Sequence, residues 1–140
     1  MNYCAVIDTN VLVSSVLSSK DDAATVRVMN YVLEGKIRLL YNDDIIDEYR
    51  NVLSRRKFSF SEQFITRLIE RMRTKGIKCD ATLSDEFFPD ESDRVFYEVA
   101  LSKKDSFLVT GNLKHFPQKP IVVTPAAMLK IVEEKHRIEH

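Results

Sequence analysis

The stretch YCAVIDTNV, residues 3–11, runs directly from apolar side chains into an acid, a hydroxyl and an amide. Residues 3–7 are apolar at every position rather than at alternate ones, which is typical of a strand buried on both faces of a parallel sheet. In such sheets, ligands bind in the crevice beyond the carboxyl ends of the strands. Asp8 follows this strand directly, and we predict that it faces a functional crevice.

Strand patterns and helical patterns alternate along the rest of the chain. Four further strands are predicted, at residues 37–41, 77–83, 106–109 and 121–123. Five helices are predicted, at 23–34, from an Asn42 cap to about 53, at 62–75, from 92 or 93, and after Thr124-Pro125. This alternation predicts a three-layer α/β/α fold, in which helices cover both faces of a central parallel sheet of about five strands.

Length and composition are typical of one domain, which we place at residues 1–140. The chain is 44% hydrophobic and 30% charged, and its three glycines and four prolines leave little sequence for linkers. The start of the chain lacks the pattern of a signal peptide, and no apolar run reaches the ~18 residues of a membrane span. Cys4 and Cys79 do not have metal-ligand spacing. We expect a cytoplasmic protein with no membrane partner.

The charges balance overall but are unevenly distributed. The chain has 21 basic and 21 acidic side chains, so its net charge indicates no polyanionic partner. Residues 50–78 carry nine basic and two acidic side chains, whereas residues 80–93 carry six acidic side chains and no basic ones. A basic flank beside an acidic cluster suits a metal-dependent enzyme that acts on nucleic acid, although solvated helix faces produce the same asymmetry.

Two further groups of acids are candidates for the crevice that Asp8 faces. Glu48 lies three and four residues from apolar members of its helix's stripe, so it is directed either inward or to the solvated edge of that stripe. Asp90 and Asp93 stand at the start of a predicted helix, where acids also serve as caps or as partners of the helix dipole.

Thr110 and Asn112 follow the strand at 106–109, either at the same crevice or in an ordinary turn with Asn112 as a cap. Strand ends and the starts of the following helices share one edge of a parallel sheet, so all these residues are expected to converge. Three carboxylates would repel one another there without a cation, and oxygen ligands suit Mg²⁺ or Mn²⁺. We predict a metal site formed by Asp8, Glu48 and Asp93.

Taken together, these motifs resemble a PIN domain. The residues that carry the resemblance are VIDTNVLVSS (6–15), IIDEYRNVLSR (45–55), PDESDRVFYEVAL (89–101) and FLVTGNLKHFP (107–117). They cover essentially the whole chain, and the first and last motifs together are fairly specific. In order and spacing they are similar to the PIN-family toxins of bacterial toxin–antitoxin systems.

The resemblance implies a parallel sheet in the order 3-2-1-4-5 and a Mg²⁺- or Mn²⁺-dependent endoribonuclease. A type II toxin of this kind cleaves RNA and is held inactive by a cognate antitoxin protein, and homodimers are common in the family. By position, the family's acids are matched by Asp8, Glu48, Asp93 and, just upstream, Asp90. Thr9 and Asn10 match the polar pair that orients the first acid.

The chain departs from the family pattern at Asn112, where many PIN domains have an aspartate. Asparagine brings no charge, which weakens the expectation of a second metal ion. As a mechanism, we expect Asn112 to position water or a scissile oxygen, Thr110 to support the site, and basic residues of the 50–78 region to contact the RNA backbone. His115 is expected to be a surface or turn residue.

Two other classes of protein are weighed against the nuclease. One is a PIN-fold module that binds RNA or protein without cleaving it, with Asn112 as the mark of lost activity. The other is a phosphate-accepting signalling or phosphatase domain, which also places acids beyond strand ends. Such phosphatases have a second aspartate two residues after the first, where this chain has Asn10. A receiver-like domain has a lysine after its last strand, where this chain has Thr124-Pro125.

Overall fold

A computed structural model describes residues 3–139 of the chain, with side chains described for residues 3–134. The five strands are β1 (Tyr3–Ile7), β2 (Ile37–Tyr41), β3 (Ile77–Lys78), β4 (Ser106–Val109) and β5 (Val122–Val123). The six α-helices are α1 (Thr9–Leu17), α2 (Ala24–Glu34), α3 (Asp43–Leu53), α4 (Glu62–Thr74), α5 (Arg94–Ala100) and α6 (Pro125–Glu139). Short 3-10 turns lie at Arg56–Phe58, Glu91–Asp93 and Leu113–His115. The predicted domain limits, residues 1 and 140, lie outside the described residues.

The strands form one parallel sheet in the order β3-β2-β1-β4-β5, as predicted. β1 lies at its centre, where Ala5 is opposite Leu39 of β2 and Phe107 of β4. The last three residues of β1 are fully buried, which agrees with the absence of apolar alternation in its sequence. Because β1 and β4 are neighbours, the residues that follow them, Asp8 and Thr110, leave the sheet side by side.

Helices cover the sheet in the predicted α/β/α arrangement. α2 packs against β2 and α6, whereas α5 packs against β1, β4 and α3. The core between them is a continuous cluster of buried apolar side chains, of which Tyr49 is the largest that is fully buried. No helix within residues 3–139 is long and apolar enough to cross a membrane.

Three helices begin with a side-chain cap, and the predicted caps at Asn42 and Thr124 are confirmed. Each cap side chain accepts a backbone N–H three residues on, at Asn42 to Ile45 (2.9 Å), Ser61 to Phe64 (3.1 Å) and Thr124 to Ala127 (3.1 Å). Gly35 ends α2 with a φ of 84°, in the left-handed region that glycine adopts without strain. Cap side chains therefore fix the starts of α3, α4 and α6, and the conformation of Gly35 fixes the end of α2.

Two elements differ from the prediction. α1 is absent from the predicted elements because its start follows β1 without a loop and its first apolar residues, Val11-Leu12-Val13, form a run that suits a strand as well as a helix. β3 is limited to Ile77–Lys78, whereas a strand was predicted within 77–83. Residues 80–83 are exposed and outside the sheet, because the chain there leaves to form an irregular segment that returns to α5.

Gly76→Ala is expected to destabilise the fold, because backbone surrounds the position. A Cβ there would lie 2.8 Å from the Leu39 carbonyl oxygen and 3.2 Å from that of Met72. We expect a loss of about 1–3 kcal/mol in the free energy of unfolding, measured by urea denaturation. Gly111→Ala is the matched control, since a Cβ at Gly111 meets nothing within 4 Å and its effect is expected within about 0.5 kcal/mol. Equal effects of the two substitutions would contradict this explanation.

Candidate active site

Asp8 is held between β1 and β4 at the carboxyl edge of the sheet. Its backbone N–H donates to the carbonyl of Val109 at 2.9 Å, and its side chain is reached by the hydroxyl of Thr110 at 2.7 Å. Asp8 is 5% exposed and Thr110 is fully buried. The carboxylate of Asp8 is therefore fixed in position by the pairing of two neighbouring strands.

Burial raises the pKa of Asp8 above its ordinary value. The hydrogen bond from Thr110 and the backbone N–H groups of Thr9 and Asn10 act in the opposite direction and lower that pKa. The environment therefore combines a costly buried charge with several donors that favour the charged form.

Thr9 and Asn10 contact Asp8 through their backbones rather than through their side chains. The hydroxyl of Thr9 is buried and has no hydrogen-bond partner within the described residues. The side chain of Asn10 is exposed and lines a polar cleft together with Ser14, Thr25, Gly111 and Asn112. The side chain that orients Asp8 in this structure is that of Thr110.

Glu48 is brought toward the same edge by its neighbour Tyr49. The hydroxyl of Tyr49 donates to the carbonyl of Ile7 at 2.5 Å, and burial keeps this hydroxyl protonated by raising its pKa. This bond ties α3 to the last residue of β1, immediately before Asp8. Glu48 is half-buried, and its charge makes a small contribution to the raised pKa of Asp93.

Asp90 and Asp93 have different roles, although both stand near the start of α5. Asp90 is the cap of the 3-10 turn, since its carboxylate accepts the backbone N–H of Ser92 at 3.0 Å and the Ser92 hydroxyl at 2.8 Å. These bonds lower the pKa of Asp90. Asp93 makes no cap, and its Oδ2 atom is buried without a hydrogen bond from any described residue. An unpaired buried carboxylate oxygen is costly unless a cation or ligand binds it.

The pKa of Asp93 is raised to about 6. Burial is the largest cause, followed by the negative charges of Asp8 and Asp90, with a smaller contribution from Glu48. Interaction with His115 acts in the opposite direction and lowers this pKa. The negative charges of Asp8, Asp90 and Glu48 therefore all act on the carboxyl group of Asp93.

The turn after β4 brings Asn112 and His115 beside Asp93. The backbone N–H of Asn112 donates to the Thr110 hydroxyl at 3.0 Å, and its side-chain amide lies 3.4 Å from Nδ1 of His115. The same Nδ1 atom lies 3.5 Å from Oδ2 of Asp93. His115 is a turn residue, as expected, but it also faces the acids. In the sequence, this position of His115 was indicated by its spacing of three residues from Asn112.

Arg94 also supports the site and was not predicted. Its guanidinium donates to the carbonyls of Ser84 and Glu86, at 2.8 and 2.9 Å, and pairs with Glu91 at 2.6 Å. The buried carboxylate of Glu98 accepts the Ser84 N–H at 2.8 Å. These contacts fix the segment that leads from β3 into the turn bearing Asp93.

A model of the PIN domain family matches residues 4–114 of the chain. The chain belongs to the PIN domain family. A comparison with curated proteins gave no match. The matched segment contains every residue assigned to the site above except His115, whereas β5 and α6 lie beyond it.

PIN domains are generally nucleases that use divalent metal ions. Carboxylate oxygens are the ligands that Mg²⁺ and Mn²⁺ prefer, and Asp93 offers one that is buried and unbonded. As they stand, however, no three acidic, histidine or cysteine side chains among the described residues are grouped to hold a metal ion. The oxygen ligands of this PIN domain therefore suit a divalent ion. In this structure, however, the described acidic side chains do not converge on a common point where the ion would bind.

Thr110→Val is expected to weaken any activity of this PIN domain that depends on Asp8. The substitution keeps the shape of the buried side chain but removes the donor to Asp8 and the acceptor of the Asn112 N–H. Loss of such a supporting bond typically lowers metal affinity or activity by about 10- to 100-fold. Thr110→Ser keeps the hydroxyl and is the control. Comparable metal affinities for the two variants, by calorimetry, would show that the hydroxyl does not matter.

Proposed function

We propose that this PIN domain is a metal-dependent endoribonuclease that hydrolyses RNA phosphodiesters. The observation that carries the proposal is Asp93, whose Oδ2 atom is buried without a hydrogen bond from any described residue and whose pKa is raised by burial and by the charges of acids that include Asp8 and Glu48. Asp8, Glu48 and Asp93 would hold Mg²⁺ or Mn²⁺. When bound, such an ion neutralises charge on the phosphodiester and favours hydroxide over water.

The remaining side chains of the site have roles that follow from their contacts. Thr110 fixes the orientation of Asp8 and, through the Asn112 N–H, the start of the following turn. The amide of Asn112 is half-exposed and carries both a donor and an acceptor, which suits it to position a water or a scissile oxygen. His115 is 46% exposed on its side chain, and its Nδ1 atom lies 3.5 Å from Oδ2 of Asp93, where its ring can contact a bound substrate.

RNA is the proposed substrate, and exposed arginines support this choice. Arg55, Arg56, Arg67 and Arg71 are exposed and form no ion pair with a described residue. Arginines that are free of protein partners are available to phosphate oxygens. Two other cations of the 50–78 region form ion pairs, Lys78 with Asp43 at 3.2 Å and Arg73 with Glu70 at 3.2 Å.

We further propose that the chain is the toxin of a type II toxin–antitoxin system, active in the cytoplasm and inhibited by a cognate antitoxin protein. Its motifs are similar to those of such toxins, and this similarity is the support for the role. A homodimer is part of the proposal, because the exposed side chain of Phe64 (42%), on α4, offers apolar area that a partner would bury. Light scattering distinguishes the 16.2 kDa monomer from a dimer. Growth arrest on induction tests the toxin role.

The experiment that tests the nuclease is cleavage of a mixed-sequence single-stranded RNA panel with Mg²⁺, Mn²⁺ or EDTA. Glu48→Gln should lose the metal-dependent cutting. Asp47→Asn, an exposed acid one residue earlier, is the matched control and should retain it. Cutting that persists in EDTA, or in Glu48→Gln, would overturn the proposal. Metal binding without any cutting would favour the non-catalytic RNA- or protein-binding module, with Asn112 as its mark.

A further inference from the structure

An apolar pocket lies directly beside the candidate active site. It has a volume of about 330 Å³ and lies between the turn after β4 and strand β5. Its apolar lining comes from Leu113, Phe116, Pro117 and Val122, and its polar lining includes Lys114 and Gln118. The volume is within the range of pockets that bind small molecules or single groups of larger ligands.

The floor of this pocket packs against the core of the protein. Phe116 is 6% exposed and packs edge-on against Phe88, with ring centroids 6.2 Å apart. Lys119 pairs with Glu86 at 3.2 Å, and its carbonyl accepts the N–H of Val122 at 3.0 Å. The pocket is therefore anchored both to the core and to the segment that precedes α5, so it is present before a ligand arrives.

The pocket and the acids share one turn of the chain. Leu113 and Lys114 lie in the same 3-10 turn as His115, whose Nδ1 atom is 3.5 Å from Oδ2 of Asp93. Leu113 is 47% exposed despite its apolar side chain. Lys114 is exposed and forms no ion pair with any described residue. A ligand seated here would have an anionic group within reach of Lys114 and of the proposed reaction centre.

We propose that this pocket receives the base of a nucleotide that flanks the scissile phosphate of single-stranded RNA. The inference rests on the proposed nuclease function and adds a subsite to it. A base has apolar faces that pack against Leu113 and Pro117, and a polar edge that the amide of Gln118 is equipped to bond. The adjoining phosphate matches the charge of Lys114. Only an unstacked base can enter such a pocket, which selects single strands over duplexes.

The first test is binding of the four ribonucleoside 5′-monophosphates to the metal-free chain, followed by NMR. We expect the amide signals of Leu113, Lys114, Gln118 and Val122 to shift with at least one nucleotide. Leu113→Asn should weaken the binding of that nucleotide about fivefold or more, because one side chain that packs against the base is lost. Leu17→Asn, at a leucine of similar exposure (54%) at the far end of α1, should leave the affinity unchanged. Absence of pocket shifts with every nucleotide would overturn the subsite.

The second test compares the cut sites of the native chain, Leu113→Asn and Leu17→Asn in a random-sequence RNA pool. A subsite predicts that Leu113→Asn changes the base preference next to the cut, while cutting still requires metal. Unchanged preference in Leu113→Asn would overturn the subsite and leave the nuclease standing. Nucleotide binding in the pocket without any RNA cleavage would support the nucleotide-binding pocket and overturn the proposed nuclease function. Binding of apolar peptides but not nucleotides would assign the pocket to a protein partner and also overturn the subsite.

Discussion

Asp8→Asn is expected to abolish metal-dependent RNA cleavage and to leave the metal-free chain at least as stable as the native protein. The two effects have one origin. Asp8 is 5% exposed, and burial raises its pKa, so its charge is costly to the fold while it is useful to a cation. Asparagine keeps an oxygen that accepts from Thr110 but removes the charge. We expect cleavage to fall at least about 100-fold, beyond the loss typical of an outer-sphere partner.

Activity and unfolding should be measured on the same preparations of Asp8→Asn. The free energy of unfolding in EDTA is expected to equal or exceed that of the native chain, by up to about 1 kcal/mol. Asp21→Asn, in the exposed turn between α1 and α2, is a control that should alter neither quantity. A large loss of stability in Asp8→Asn would show that the carboxylate supports the fold rather than a ligand.

Divalent metal is expected to stabilise the chain strongly near neutral pH and only weakly in mild acid. The folded-state pKa of Asp93 is about 6, against an ordinary value of 3.8. Because the folded chain holds this proton more tightly than the unfolded chain, stability in EDTA should fall as pH rises from about 4 to about 6, and remain lower above that. For a side chain that is 17% exposed, we expect about 1–2 kcal/mol from this source.

Metal should reverse this loss, because it binds the deprotonated carboxylates. At a concentration about 100 times its Kd, Mg²⁺ adds about 2.7 kcal/mol, which for a chain of this size raises Tm by roughly 10 °C. Thermal melts at about pH 5 and about pH 8, each with Mg²⁺ and with EDTA, measure the effect. The increment should be large at the higher pH and small at the lower one. It should be mostly lost in Asp93→Asn and retained in Asp47→Asn. An increment that does not vary with pH would assign the metal to other groups.

The fold was predictable because its strongest signals are local. β1 lacks alternation because both of its faces are buried, and the caps at Asn42, Ser61 and Thr124 use side chains whose preference for that position is intrinsic. α1 was missed for a physical reason. Its apolar residues follow Asp8 in a run that suits a strand as well as a helix, and only packing of Val11 and Leu12 into the core decides between them.

The site was predictable in outline but not in its supporting contacts. Acids beyond strand ends follow from the general rule for parallel sheets, so the positions of Asp8 and Asp93 could be anticipated. The bond from Thr110 to Asp8 depends on the register that places Ile7 opposite Val109, which local patterns do not set. Arg94 is one of many charged residues in the sequence, and nothing local indicates that its donors all serve the segment before α5.

The hydrogen bond between Thr110 and Asp8 joins residues 102 positions apart, so it cannot form until most of the chain has been synthesised. A ribosome releases β1 early, but β1 lacks its neighbour β4 until about a hundred further residues have been made. Contacts of such long range form late in folding, after local helices and turns. A polypeptide that ends before β4 has Asp8 without the hydroxyl that orients it, so any activity that depends on an oriented Asp8 requires synthesis of the chain through Thr110.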